Sequence, residues 1–103
     1  MDTDRAAREV IILLSQSRND EIMLECVELC DKFLEAGRDR QVEYIRSLVK
    51  LALGEKEAAL ADAKALVRGF PNFPIGYKLL FVVFNRLGLH AEADEAMRRS
   101  KLV

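Results

Sequence analysis

The residues best suited to chemistry in this sequence are two cysteines and one histidine. Cys26 and Cys30 are the only thiols, and His90 is the only histidine. Nucleophilic catalysis and metal binding both need further histidines, thiols or carboxylates at fixed spacings. No such pattern surrounds these three residues. The sequence therefore predicts a protein that is not an enzyme and that has no metal site and no cofactor.

The two cysteines are predicted to be small core residues. They are four positions apart, so on a helix they lie one turn apart on the same face. Cβ atoms in that arrangement run parallel, whereas a disulfide needs them to converge. Free cysteine is among the most often buried residue types. Reduced thiols indicate a reducing compartment, and the acidic start of the chain does not resemble a secretory signal. We therefore expect a cytoplasmic protein.

Length and composition indicate one globular domain over residues 1–103. Half of the 103 residues are apolar, 32% are charged, and the net charge is −1. This balance is typical of folded chains rather than disordered ones. The near-zero charge gives no indication of nucleic-acid binding, and no apolar run approaches the roughly 18 residues of a membrane span. Neither a nucleic acid nor a membrane is expected as a partner.

Hydrophobic periodicity predicts six helices and no strands. Alanine, leucine, glutamate, lysine and arginine dominate, and these residues favour helices. The predicted helices cover residues 3–16, 20–36, 39–53, 55–68, 74–87 and 90–102. Four glycines stand where a helix end favours positive φ, namely Gly37, Gly54, Gly69 and Gly88.

The turns recur with a period of 34 residues. Asp20, Gly54 and Gly88 are each 34 residues apart, and so are Gly37 and Pro71. The last third of the chain also carries a sequence motif at the spacings W-x2-L-G-x2-Y and A-x3-F. The motif positions are filled by Tyr77, Leu80, Phe81, Phe84, Ala93 and Met97. Period and motif together resemble the tetratricopeptide repeat.

The resemblance implies an all-α, right-handed stack of three antiparallel helix hairpins, an α-solenoid with repeats at about 6–39, 40–73 and 74–103. In the second repeat Gly54, Pro71 and the Ala59-x3-Ala63 spacing fall in frame. Its first helix places polar residues at the motif positions, and these are not expected to pack inward: Glu43, Arg46, Ser47 and Lys50. The apolar stripe of that helix is expected instead at Ile45, Leu48, Val49 and Ala52.

In this family the first helix of each pair lines a concave groove. The side that each first helix leaves unburied carries more basic than acidic residues and also a few apolar ones. These residues predict a basic groove with an apolar strip. The predicted groove residues are Arg5, Arg8, Ile12, Arg46, Lys50, Ile75, Lys78, Val82 and Arg86. Such a groove suits a protein or peptide partner with acidic groups. An ordinary solvated face is the alternative interpretation.

The predicted helix over 74–87 is apolar nearly all round, which is typical of a central helix. Because it belongs to the last hairpin, we expect part of its surface to form an interface in a homo- or heterodimer. The expected interface residues are Leu79, Val83, Phe84 and Leu87. In the alternative, the final helix covers this surface within the chain.

These expectations point to a non-catalytic protein–protein interaction module. It would be an adaptor, an assembly factor or a small chaperone that binds a peptide or a helix in its groove. In size and layout the chain is similar to the small repeat chaperones of bacterial type III secretion. The alternative function is a self-associating structural scaffold that forms a homodimer through the third hairpin.

Overall fold

A computed structural model of the protein describes residues 20–103. The predicted helix over 3–16 lies outside these residues, as do Arg5, Arg8 and Ile12. The described part of the chain is all-helical, without strands, as the sequence predicts. Its five helices are α1 (Asp20–Leu34), α2 (Arg40–Ala52), α3 (Lys56–Gly69), α4 (Pro74–Arg86) and α5 (His90–Ser100).

The helix ends follow local sequence signals. Asp39 caps α2, its carboxylate accepting hydrogen bonds from the backbone N–H groups of Gln41 and Val42 at 2.9 and 3.0 Å, and Pro74 opens α4. Gly54 and Gly88 leave α2 and α4 with φ values of 85° and 77°, a region in which a side chain would be strained. The prediction of positive φ at Gly69 is wrong, because that residue is the last of α3.

The helices pack in chain order, each against the next, and α2 also contacts α4. Short loops make α2–α3 and α4–α5 neighbouring pairs, and α3 joins the pairs by packing on α4. One core cluster lies between α1 and α2 and includes Met23, Cys30 and Val49. A larger cluster involves the four helices from α2 to α5. The contact of α2 with α4 places the first helices of the two pairs side by side.

Small side chains allow the helices to approach closely within each pair. Ala59, Ala63 and Ala93 are fully buried, as their motif positions predict. Ser47 of α2 lies against α3, where its hydroxyl donates a hydrogen bond to the carbonyl oxygen of Ala59 at 2.9 Å. Between the pairs, a Cβ added at Gly76 would approach Cγ1 of Val67 to 3.0 Å. Larger residues at these positions would push the backbones apart.

The expected orientation of α2 is partly wrong. Ile45 and Val49 are buried as predicted, but Leu48 is half-buried and Ala52 is exposed. Glu43 and Ser47, which were expected to face outward, are 6% and 0% exposed. The reason is that hydrogen bonds and an ion pair allow polar residues to occupy the contact with α3.

Two of the four residues expected at an interface on the third hairpin are buried within the single chain. Leu79 and Val83 of α4 are 2% and 0% exposed, and Phe84 and Leu87 are half-buried against the same core. Helices α2, α3 and α5 all contact α4, and together they cover more of its surface than the sequence pattern suggested.

Candidate protein-binding face

Two of the predicted groove cations, Arg46 and Lys50, are held in ion pairs on α2. Arg46 binds Asp31 of α1 through Nη1 at 2.9 Å and Asp62 of α3 through Nε at 3.1 Å. Lys50 Nζ lies 3.0 Å from the same oxygen of Asp62. Arg46 therefore extends toward α1 and α3, Lys50 extends toward α3, and both are paired with carboxylates there. These two predicted groove cations are thus already paired with carboxylates of the chain itself.

The pKa of the Arg46 guanidinium reflects these contacts. Burial opposes its charge, but the hydrogen bonds and charges of Asp31 and Asp62 outweigh burial and raise the pKa above its usual value. The ion-pair network stabilises the junction of three helices. It leaves little capacity to bind a further anion, because the positive charges already face two carboxylates.

The predicted residues on α4 behave differently. Ile75 and Val82 are each 37% exposed, and Lys78 and Arg86 are exposed as well. Their spacing places all four on one side of α4 at 100° per residue. Neither Lys78 nor Arg86 forms an ion pair with any residue of the range 20–103. This side of α4 therefore presents two apolar side chains next to two available cations.

The equivalent side of α2 was missed by the sequence analysis. Subtracting the 34-residue period from the α4 positions gives Gln41, Tyr44, Leu48 and Ala52 on α2. Tyr44 and Leu48 are half-buried and pack against the larger core cluster, and burial raises the pKa of the Tyr44 hydroxyl above its usual value. The 34-residue period of the sequence could have identified these four residues of α2.

Together these residues form one face, which we call the α2/α4 face. It consists of Gln41, Tyr44, Leu48, Ala52, Ile75, Lys78, Val82 and Arg86. The two helices that carry these residues, α2 and α4, contact each other. Apolar side chains next to cations form the kind of surface that binds an amphipathic, acidic segment of a protein.

A concave feature lies between α3 and α5. It has a volume of about 340 Å³ and is floored by Tyr77, Leu80 and Phe84 of α4. Its rim carries charges of both signs, and Glu95 there is engaged by Arg98 and Arg99. These arginines hold the pKa of the Glu95 carboxyl below its usual value through hydrogen bonds. The cleft therefore has no dominant charge to select a ligand.

Searches against protein-family models, curated protein sequences and solved structures find no match to this chain. Within residues 20–103, no helix is both long and apolar enough to cross a bilayer. In the same range, no group of three or more potential ligand side chains is arranged to hold a metal ion. His90 is exposed, with its Nδ1 2.8 Å from the side-chain oxygen of Asn85.

Proposed function

We propose that this protein is a non-catalytic interaction module of tetratricopeptide-like hairpins that binds an acidic amphipathic peptide or helix on its α2/α4 face. The observation that carries the proposal is the side of α4, where Ile75 and Val82 are exposed next to two cations without an ion pair among the described residues. An apolar strip would bind the apolar side of the peptide, and Lys78 and Arg86 would bind its carboxylates.

The family proposal rests on three features of the described helices. The pairs α2–α3 and α4–α5 follow one another, and their first helices touch. Small residues occupy the close contacts at the motif positions, with Ser47 against Ala59. Turn glycines 34 residues apart, Gly54 and Gly88, share a positive φ. With this architecture, an adaptor, an assembly factor or a small chaperone is the role that suits the face.

The alternative function, a homodimeric scaffold built on the third hairpin, has less support than the peptide-binding face. It required Leu79 and Val83 to be available at the surface, and both lie in the core. We therefore propose a single function and locate it on the α2/α4 face.

A charge-reversal experiment tests the proposal. The double variant Lys78→Glu and Arg86→Glu should weaken binding of a fluorescein-labelled helical peptide rich in leucine and glutamate about tenfold. Two exposed ion pairs contribute up to about 1 kcal/mol each, and about 1.4 kcal/mol changes Kd tenfold. Fluorescence anisotropy measures Kd, and wild-type affinity should fall between about 50 and 200 mM salt because screening increases.

The matched control is the double variant Lys56→Glu and Lys64→Glu. These lysines are both exposed, have the same eight-residue spacing and lie on α3 rather than on the face. A scrambled peptide measures the effect of net charge alone. Beyond that effect, we expect the control variant to change Kd less than twofold. Equal weakening by both double variants would show that peptide binding is non-specific attraction and would refute the assigned face.

A further inference from the structure

Cys26 and Cys30 lie on consecutive turns of α1 and differ in exposure. Both are free thiols; Cys30 is buried and Cys26 is half-buried. Both cysteines were predicted to be core residues, so the accessibility of Cys26 is unexpected. A reagent or ion can reach Cys26 from solvent and then find the second sulfur one helical turn away.

The helix prevents these two thiols from forming an undistorted disulfide. Residues four apart on a helix have Cβ atoms about 5–6 Å apart, whereas a disulfide needs about 3.5–4.5 Å. A metal ion bound between the two sulfur atoms does not require the Cβ atoms to come so close together. Two metal–thiolate bonds of about 2.3 Å span a much greater distance than one sulfur–sulfur bond of about 2.05 Å. The pair is thus spaced for chelation rather than for oxidation.

We propose that Cys26 and Cys30 form a two-thiolate site for a soft monovalent cation, copper(I). Thiolate ligands select soft ions, and copper(I) is the first-row ion for which they are best suited. Among residues 20–103, no cluster of three or more histidine, cysteine or carboxylate ligands is present. Zinc sites normally take three or four protein ligands, so a two-thiolate pair suits copper(I) better than zinc.

The two thiols influence each other's protonation. A hydrogen bond from Cys30 lowers the pKa of Cys26 to about 7, against the opposing effect of burial. The same hydrogen bond, followed by burial, raises the pKa of Cys30. Arg46 of α2 favours the thiolate of Cys30, and Asp31 of α1 opposes it.

The binding step balances in charge and protons. Copper(I) bonds to both sulfur atoms, and the protons of the two thiols are released to solvent. The resulting complex carries one negative charge, and the positive charge of Arg46 acts on Cys30.

Anaerobic competition with the copper(I) chelator bicinchoninate tests the site. The wild-type chain should bind one copper(I) per chain and retain it at chelator concentrations at least 100-fold higher than either Cys26→Ser or Cys30→Ser tolerates. The helical circular dichroism signal should be unchanged by the ion. Two single variants are used because Cys30 is a core residue, whereas Cys26 can be changed with little effect on packing.

The decisive control keeps two thiols but moves one of them. In the double variant Cys30→Ser and Lys32→Cys, the thiols lie six positions apart and on different sides of α1. This variant should lose copper(I) as readily as the single variants. Equal retention by wild type and control would overturn the proposal, since it would show ordinary binding to independent thiols. One copper per two chains, with dimers on a sizing column, would overturn it as well.

Discussion

Glu43 is a charged residue that occupies a helix contact, and it does so because Arg38 neutralises it. Its carboxylate accepts hydrogen bonds from Arg38 Nε at 3.1 Å and Nη2 at 2.6 Å. Nη2 also donates to the carbonyl oxygen of Ala65 in α3 at 3.1 Å, and the guanidinium lies 5.0 Å from the centre of the Phe70 ring. Arg38 therefore connects the loop before α2 to the end of α3.

The first prediction is that Arg38→Ala lowers the free energy of unfolding by about 1–3 kcal/mol, because it leaves the buried Glu43 carboxylate without its partner. Urea unfolding monitored by circular dichroism measures the change. In the double variant Arg38→Met and Glu43→Leu most of the stability should return, since apolar residues can replace a buried pair.

Arg40→Ala is the matched control for this prediction. Arg40 lies over the Phe73 ring at 4.7 Å and forms no ion pair with the described residues, so its loss should cost only about 0.5–1 kcal/mol. If Arg38→Ala is no more destabilising than Arg40→Ala, the Glu43 carboxylate is hydrated in solution and the ion pair does not stabilise the fold.

The sequence could predict which residues occupy the repeat frame but not how their charges are satisfied. Glu43, Ser47 and Lys50 appeared unsuited to inward positions because each is polar. Their partners come from other elements: Arg38 from a loop, and the Ala59 carbonyl and Asp62 from α3. Such pairings depend on helix orientation at the scale of one hydrogen bond, which hydrophobic periodicity does not encode.

At the scale of elements, the helix pairs depend on small residues at their contacts. The second prediction concerns α2–α3, where Ala59 has no exposed surface and its carbonyl oxygen accepts a hydrogen bond from Ser47. Ala59→Leu should destabilise the domain by about 1–3 kcal/mol, because the added side chain overpacks the contact. The melting midpoint measured by circular dichroism should fall accordingly.

Ala58→Leu provides the control, since it adds the same side chain at the neighbouring, exposed position of α3. We expect its effect to remain within about 0.5 kcal/mol, as is usual for surface positions. Similar melting midpoints for Ala59→Leu and the wild type would place Ala59 away from α2 and would contradict the pairing of α2 with α3.

Helix positions were predictable because their signals are local. The bounds of α1 to α5 agree with the predicted ranges within two residues, since glycines and Pro74 mark the ends. The orientation of α2 about its own axis was harder to predict from the sequence. Its apolar stripe covers both the contact with α1, through Ile45 and Val49, and the partly exposed α2/α4 face, through Leu48. One apolar stripe in the sequence therefore contributes to two different surfaces of α2, and hydrophobic periodicity does not separate them.

At the scale of the whole molecule, the large apolar residues with the greatest exposure within the described helices are on α1 and not on α4. On α1, Leu29 and Phe33 are 66% and 55% exposed, while α4 lies among three other helices. Overall hydrophobicity of a helix indicates how many neighbours it has, but not whether they belong to the same chain. The contacts of α4 with α2, α3 and α5 show that the helices around Val83 belong to the same chain.

The third prediction follows from the position of Val83 in this core. Val83→Glu should unfold the domain, because Val83 has no exposed surface and an unpaired carboxylate buried among apolar groups costs several kcal/mol. The neighbouring substitution Val82→Glu should preserve the fold, since Val82 is 37% exposed on the α2/α4 face, and it should weaken peptide binding instead. Circular dichroism and light scattering on both variants separate the two outcomes. A folded Val83→Glu monomer derived from a wild-type dimer would show that this residue lies at an interface between chains, and it would restore the homodimer as the explanation of the apolar helix.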